Sequence, residues 1–163
     1  MRENKNIGRG LYTQSIVKVL RFGPLSGKEL KTECDELQIS QSGSSFYRCL
    51  GGLKYLGFVQ KTGERYELTS FGSELATRSG DAFLNYYSLG YIRCPECRRR
   101  GNLVKCEIGK IKEFRRSMGV SVKCPVCGYT RSPYFRNISK EEFMGLYNSN
   151  LLNKRWNPKT ENG

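Results

Sequence analysis

Four cysteines in this 163-residue chain stand in two matched pairs, Cys94-x-x-Cys97 and Cys124-x-x-Cys127, separated by 26 residues. Each pair sits in a C-P-x-C context, "RCPECRRRG" and "KCPVCGYT". Two such turns can offer four thiolates at tetrahedral angles, with zinc–sulfur bonds of about 2.3 Å and no position left open for water. That is the chemistry of a single structural Zn²⁺, and the pairing distinguishes it from the redox chemistry that one C-x-x-C alone would allow. A thioredoxin-type reading would need a βαβ context, and none surrounds either pair. The chain has no histidine. This removes the commonest general base, every Ser/His or Cys/His pair, and every mixed Cys/His zinc pattern.

The doubled C-P-x-C, its second copy ending in Gly128, resembles a zinc ribbon, and residues 93–135 fit one in length and in the strand-like runs between the cysteine turns. The resemblance implies one bound zinc with Cys94, Cys97, Cys124 and Cys127 as ligands. The other three cysteines read as core: Cys34 and Cys49 lie on apolar helical stripes, and Cys106 alternates with Val104 and Ile108. Cys106 is the one spare ligand.

Charge is concentrated around the cysteines. The net charge is +13, and residues 93–136 hold twelve basic against three acidic side chains, leaving +9 there. Four thiolates with Zn²⁺ would take away two charges, far less than the excess. Arg98, Arg99, Arg100, Lys110, Lys112, Arg115 and Arg116 therefore point to an anionic polymer as partner, with phosphates as the contacted groups.

The elements that would carry these residues are readable from periodicity and caps. Leu11, Ile16, Val17, Val19 and Leu20 predict a first helix over 11–22, stopped by Gly23-Pro24. Ser26 and Glu29 form a capping box ahead of a second helix that ends near Leu37. Phe46, Cys49, Leu50, Leu53 and Leu56 predict a third helix. Runs at 58–61 and 65–68 around Thr62-Gly63-Glu64 read as a hairpin, after which Thr69 or Ser70 caps a fourth helix through about Arg78. Ser139 and Glu142 cap a C-terminal helix with Phe143, Leu146, Tyr147 and Leu151 on one face. The fold class expected is α+β, with a flexible basic arm over 1–10, a helical and hairpin domain over 11–79, an aromatic connector over 80–92, the cysteine module over 93–136, and a C-terminal helix and polar tail over 137–163.

This order of helices and hairpin, with Leu68, Thr69 and Gly72 set as L-T-x-x-G, resembles the winged helix-turn-helix regulators of the MarR and PadR kinds. The resemblance implies that the third helix enters the major groove of double-stranded DNA. Residues opposite the apolar stripe, Gln41, Ser42, Ser44, Ser45, Tyr47, Arg48 and Lys54, would then face DNA: Gln41 suits adenine, Arg48 suits guanine, and the serines suit phosphates or helix capping alike. Lys61 and Arg65 bracket the hairpin tip and would reach a neighbouring phosphate or minor groove. Gly51-Gly52 inside the helix costs up to about 2 kcal/mol against Ala-Ala and marks a bend or a close approach.

A winged helix followed by a four-cysteine ribbon also resembles archaeal transcription factor E, which implies RNA polymerase as a partner. That family has a long helical connector, where this chain has a short aromatic one. The ribbon is similar as well to that of transcription elongation factor S, whose hairpin tip carries an acidic pair. Here the loop "GKIKEFRRSMG" is basic with the single acid Glu113, so its cleavage activity is not implied. The expectation is a non-enzymatic, DNA-binding transcription regulator of archaeal, viral or plasmid style. A polymerase-bound factor and an RNA- or single-strand-binding module are the alternatives, and a homodimer is left open. No apolar run is long enough for a membrane span or signal peptide, so the expected location is the reducing cytoplasm.

Overall fold

A computed structural model describes residues 3–37 and 43–153. They hold seven α-helices and two antiparallel sheets, an α+β structure. The chain divides into two compact units, with the change between Thr77 and Arg78.

In the first unit, α1 (Glu3–Leu20) begins at Glu3 rather than at Leu11, so residues expected to form a flexible arm belong to the helix. Its polar first half carries no apolar stripe, which is the signal a sequence reading depends on. α2 (Gly27–Glu36) starts on the expected capping box: Glu29 N donates to Ser26 Oγ at 3.1 Å, and Ser26 N donates to Glu29 Oε1 at 2.9 Å. α3 (Gly43–Tyr55) follows. The core is made by Tyr12, Ile16 and Val17 of α1, Leu30 and Cys34 of α2, and Phe46, Leu50 and Leu53 of α3, all buried.

β1 (Leu25–Ser26), β2 (Val59–Thr62) and β3 (Arg65–Leu68) form a sheet in the order β1-β3-β2, closed at the tip by Gly63 at φ 64°. The left-handed conformation there favours glycine. α4 (Ser70–Ala76) is capped by Thr69, whose Oγ1 accepts from Gly72 N at 3.1 Å and donates to Gly57 O at 2.6 Å. A Cβ on Gly72 would stand 1.9 Å from Phe58 O. Only a residue without a side chain lets α4 press this closely on the start of the hairpin, and Phe58 and Phe71 stack there at 4.6 Å.

In the second unit, the stretch expected as a connector contains α5 (Gly80–Leu89). Asn85 pins it to the sheet: its Nδ2 donates to Arg136 O at 2.9 Å and its Oδ1 accepts from Arg136 N at 2.7 Å. α6 (Pro95–Arg99) is a short helix capped by Cys94 that carries Cys97 and ends two residues beyond it. β4 (Glu107–Glu113) and β5 (Ser117–Lys123) form the main hairpin, and β6 (Thr130–Arg131) and β7 (Tyr134–Arg136) both pair with β5. The inner face buries Met118, Val120, Val122 and Phe135. α7 (Lys140–Tyr147) opens on the expected Ser139/Glu142 capping box, and its Phe143 packs on Phe135 at 4.9 Å. A short 3₁₀ turn covers Asn150–Asn153.

Among the described residues, no helix is long and apolar enough to cross a membrane.

Candidate metal centre and charged surfaces

The backbone brings the two cysteine pairs together from sites far apart in sequence. Cys94 N donates to Val104 O at 2.8 Å and Cys106 N donates to Ile92 O at 2.6 Å, which folds the first pair onto the base of β4. The second pair is a tight turn in which Cys124 N donates to Tyr129 O at 2.7 Å and Gly128 N donates to Cys124 O at 3.1 Å. Gly128 takes φ 81° to close it, which explains the glycine after the second pair.

The four Sγ atoms of Cys94, Cys97, Cys124 and Cys127 all lie within 4.8 Å of one another. Two of the separations are 3.5 Å, Cys94 to Cys127, and 3.6 Å, Cys97 to Cys124. A tetrahedron with metal–sulfur bonds of about 2.3 Å has sulfur–sulfur edges of about 3.8 Å, so the cluster fits a metal ion of that kind. All seven cysteines are free thiols.

Backbone N–H groups aim at the sulfurs as they would at thiolates. Cys97 N donates to Cys94 Sγ, and Val126 N and Cys127 N both donate to Cys124 Sγ, each at 3.4 Å. Burial pushes the Cys124 thiol up, but those backbone donors and the thiols of Cys97 and Cys94 outweigh it and hold the group at about 7. Burial dominates for Cys94, which is raised, and for Cys97, which is pushed to about 12. A cation held at the centre would supply the positive charge that buried thiolates need.

Two neighbours complete the surroundings. Cys106 is fully buried, and burial, followed by Cys94, Cys124 and Cys127, raises its thiol far above the usual range. It is a protonated neighbour outside the four-sulfur group, while Tyr147 of α7 donates to its carbonyl at 2.9 Å. Arg93, next to Cys94 in the chain, is 0% exposed. Arg93 is one of the twelve basic residues of 93–136, and nothing in its local sequence pattern marks a guanidinium for burial. The thiol of Cys34 is pushed to about 12, by burial and then by Asp35 and Glu33, as suits a core residue.

The basic residues of this unit do not form one cluster. Arg99 and Arg100 are exposed and Arg98 is half-buried, all three beside the cysteines, with Arg99 reaching Glu96 at 3.5 Å. Arg115 and Arg116 are exposed at the far tip of the β4–β5 hairpin, about 20 Å away along seven-residue strands. Lys110 and Lys112 lie exposed on β4 between them.

In the first unit, α3 buries Phe46, Cys49, Leu50 and Leu53 and exposes Tyr47, Arg48, Gly51 and Lys54 on the other side. Ser45 is half-buried. Tyr47 is 47% exposed and leans back on the start of α2, where a Cβ on Gly27 would lie 3.3 Å from its ring. A Cβ added at Gly51 would meet nothing within 4 Å, so the glycine leaves open space beside Arg48. Lys61 and Arg65 are exposed on either side of the hairpin tip, Lys61 lying 5.5 Å over the Tyr66 ring. Ser44 falls within α3, while Gln41 and Ser42 lie outside the described residues.

No protein-family model matches the chain, and comparison with curated proteins and with solved structures gives no significant match.

Proposed function

We propose that this chain is a transcription regulator that binds double-stranded DNA, with the first unit a winged helix-turn-helix reading the duplex and the second a zinc ribbon contacting phosphates. One observation carries the reading: α3 buries a complete apolar stripe and bares Arg48, Gly51 and Lys54 on the opposite side. A helix of this kind can lie in a major groove, with Arg48 bidentate to a guanine and the open space at Gly51 admitting close approach of the DNA. Lys61 and Arg65 at the hairpin tip suit phosphates. The order of elements, the Thr69 cap and the Gly72 contact support the wing assignment.

The ion of the second unit is taken to be zinc, because an all-thiolate set of four with the spacing found here suits a closed tetrahedral site. Its role is structural: it ties two turns together and so holds the basic hairpin. The protein acts by binding and not by catalysis, in keeping with a chain that lacks histidine.

The test is selection of duplexes from a random library, followed by affinity measurement at several salt concentrations. Arg48→Ala should cost about 1 to 3 kcal/mol and relax preference at one position. Lys61→Ala or Arg65→Ala should weaken all sequences alike and lower the salt slope by about one. Equal affinity for every sequence would overturn the regulator reading, and an Arg48 change without effect would remove α3 from the groove. Recovery of RNA polymerase from a native extract, with no preferred DNA site, would favour a polymerase-bound factor.

A further inference from the structure

The outer face of the second sheet carries a feature that phosphate contact does not use. Along β5, Met118, Val120 and Val122 point to the core, so Ser117 and Gly119 point outward. Gly119 pairs with Lys112 on one side and Tyr134 on the other, and Ser117 pairs with Arg136. Two aromatic rings lie over Gly119: a Cβ there would stand 3.2 Å from Tyr134 Cε1 and 3.6 Å from Phe114 Cε2. The absent side chain gives both rings their seat.

Neither ring is used up by packing. Phe114 is 52% exposed and Tyr134 60% exposed, with centroids 6.3 Å apart and planes tilted by 38°. They stand side by side instead of covering each other, so each keeps area for another planar group. The charges around them are basic: Lys112 is exposed beside the pair, and Arg136 is 61% exposed while reaching Asp81 at 3.7 Å. Of the two acids of this hairpin, Glu113 is paired with Met118 and so belongs to the opposite side, and Glu107 is paired with Lys123 at the other end of the strands.

We propose that Phe114 and Tyr134, seated on Gly119, form a stacking platform for unpaired bases of single-stranded DNA. This deepens the reading of the second unit as a nucleic-acid module and rests on it. Exposed aromatic rings within a basic groove bind single strands because every base has a face to stack and every nucleotide a phosphate to neutralise. Bases inside a duplex are already stacked and cannot reach such a platform without being flipped out. The platform would therefore favour a melted or frayed strand over the duplex that α3 addresses.

The experiment uses the full, zinc-loaded chain, a labelled oligothymidylate, the matching duplex and the matching RNA, at one salt concentration. Changing Phe114 and Tyr134 together to Ala should lower single-strand affinity by at least about 5-fold and leave duplex affinity and zinc content unchanged. Phe114→Trp should retain affinity, and its added fluorescence, read against that of Trp156, should be quenched by the single strand and not by the duplex. Unchanged single-strand affinity in the double variant, an equal loss for both DNAs, or tighter binding of RNA than of DNA would each overturn the proposal. Arg48→Ala separates it from the regulator reading: that change should affect the duplex only, so loss of sequence preference and loss of the platform are independent results.

Discussion

The four thiols show how a side chain's neighbours decide its role. Cys34 and Cys106 are as buried as Cys94, yet among the described residues neither belongs to the group of four sulfurs that could hold a metal ion, and Cys106 lies beside it. The arginine run next to Cys97 is in excess of what the thiolates need, so Arg98, Arg99 and Arg100 changed together to Ala should keep the metal and weaken DNA binding about equally across sequences, as gel shifts with metal analysis would read. Tyr12 gives a pH prediction in the first unit. Burial, then Asp35 and Cys34, push its hydroxyl up to about 12, and the group donates to Asp35 Oδ1 at 3.5 Å. A value raised above that of the unfolded chain contributes stability that is full below about 10 and is lost as pH rises through about 12. Unfolding of the first unit followed at alkaline pH should show this loss, and Tyr12→Phe should flatten it.

Among the elements, the junction of β2, β3 and α4 is the most tightly determined. Gly72→Ala would drive a methyl group into Phe58 O, and the resulting shift should destabilise the first unit by about 1 to 3 kcal/mol in urea unfolding. An unchanged midpoint would mean that α4 does not approach the hairpin as described. Much of this architecture was legible in sequence because its signals are local. The capping boxes at Ser26 and Ser139, the stripe of α3 and the doubled C-P-x-C each fall within a few residues and have one physical meaning. What was not legible depends on pairings between distant segments. The exposure of Phe114 and Tyr134 follows from β7 joining β5 and from the register shift in β4 between Ile108 and Ile111. The burial of Arg93 follows from its bridge to Lys105 and from the folding of the first cysteine turn. α1 extends to Glu3 through a polar stretch that no periodicity marks.

For the molecule as a whole, the two compact units carry different kinds of stability. The first has a three-helix core closed by a small sheet, whereas the second, with its short strands and cysteine turns, is of the size and type that a metal commonly completes. A strong chelator should therefore open the second unit to proteolysis while the first remains folded, and DNA binding should lose the part of its salt dependence that the second unit supplies. The division of labour proposed for DNA, with reading by one unit and clamping by the other, depends on that metal-held fold. Native mass spectrometry of the intact chain tests it most directly. The account predicts one zinc ion per chain, lost when Cys124 is changed to Ser. A folded chain that carries no metal and instead holds a Cys94–Cys97 disulfide would contradict it.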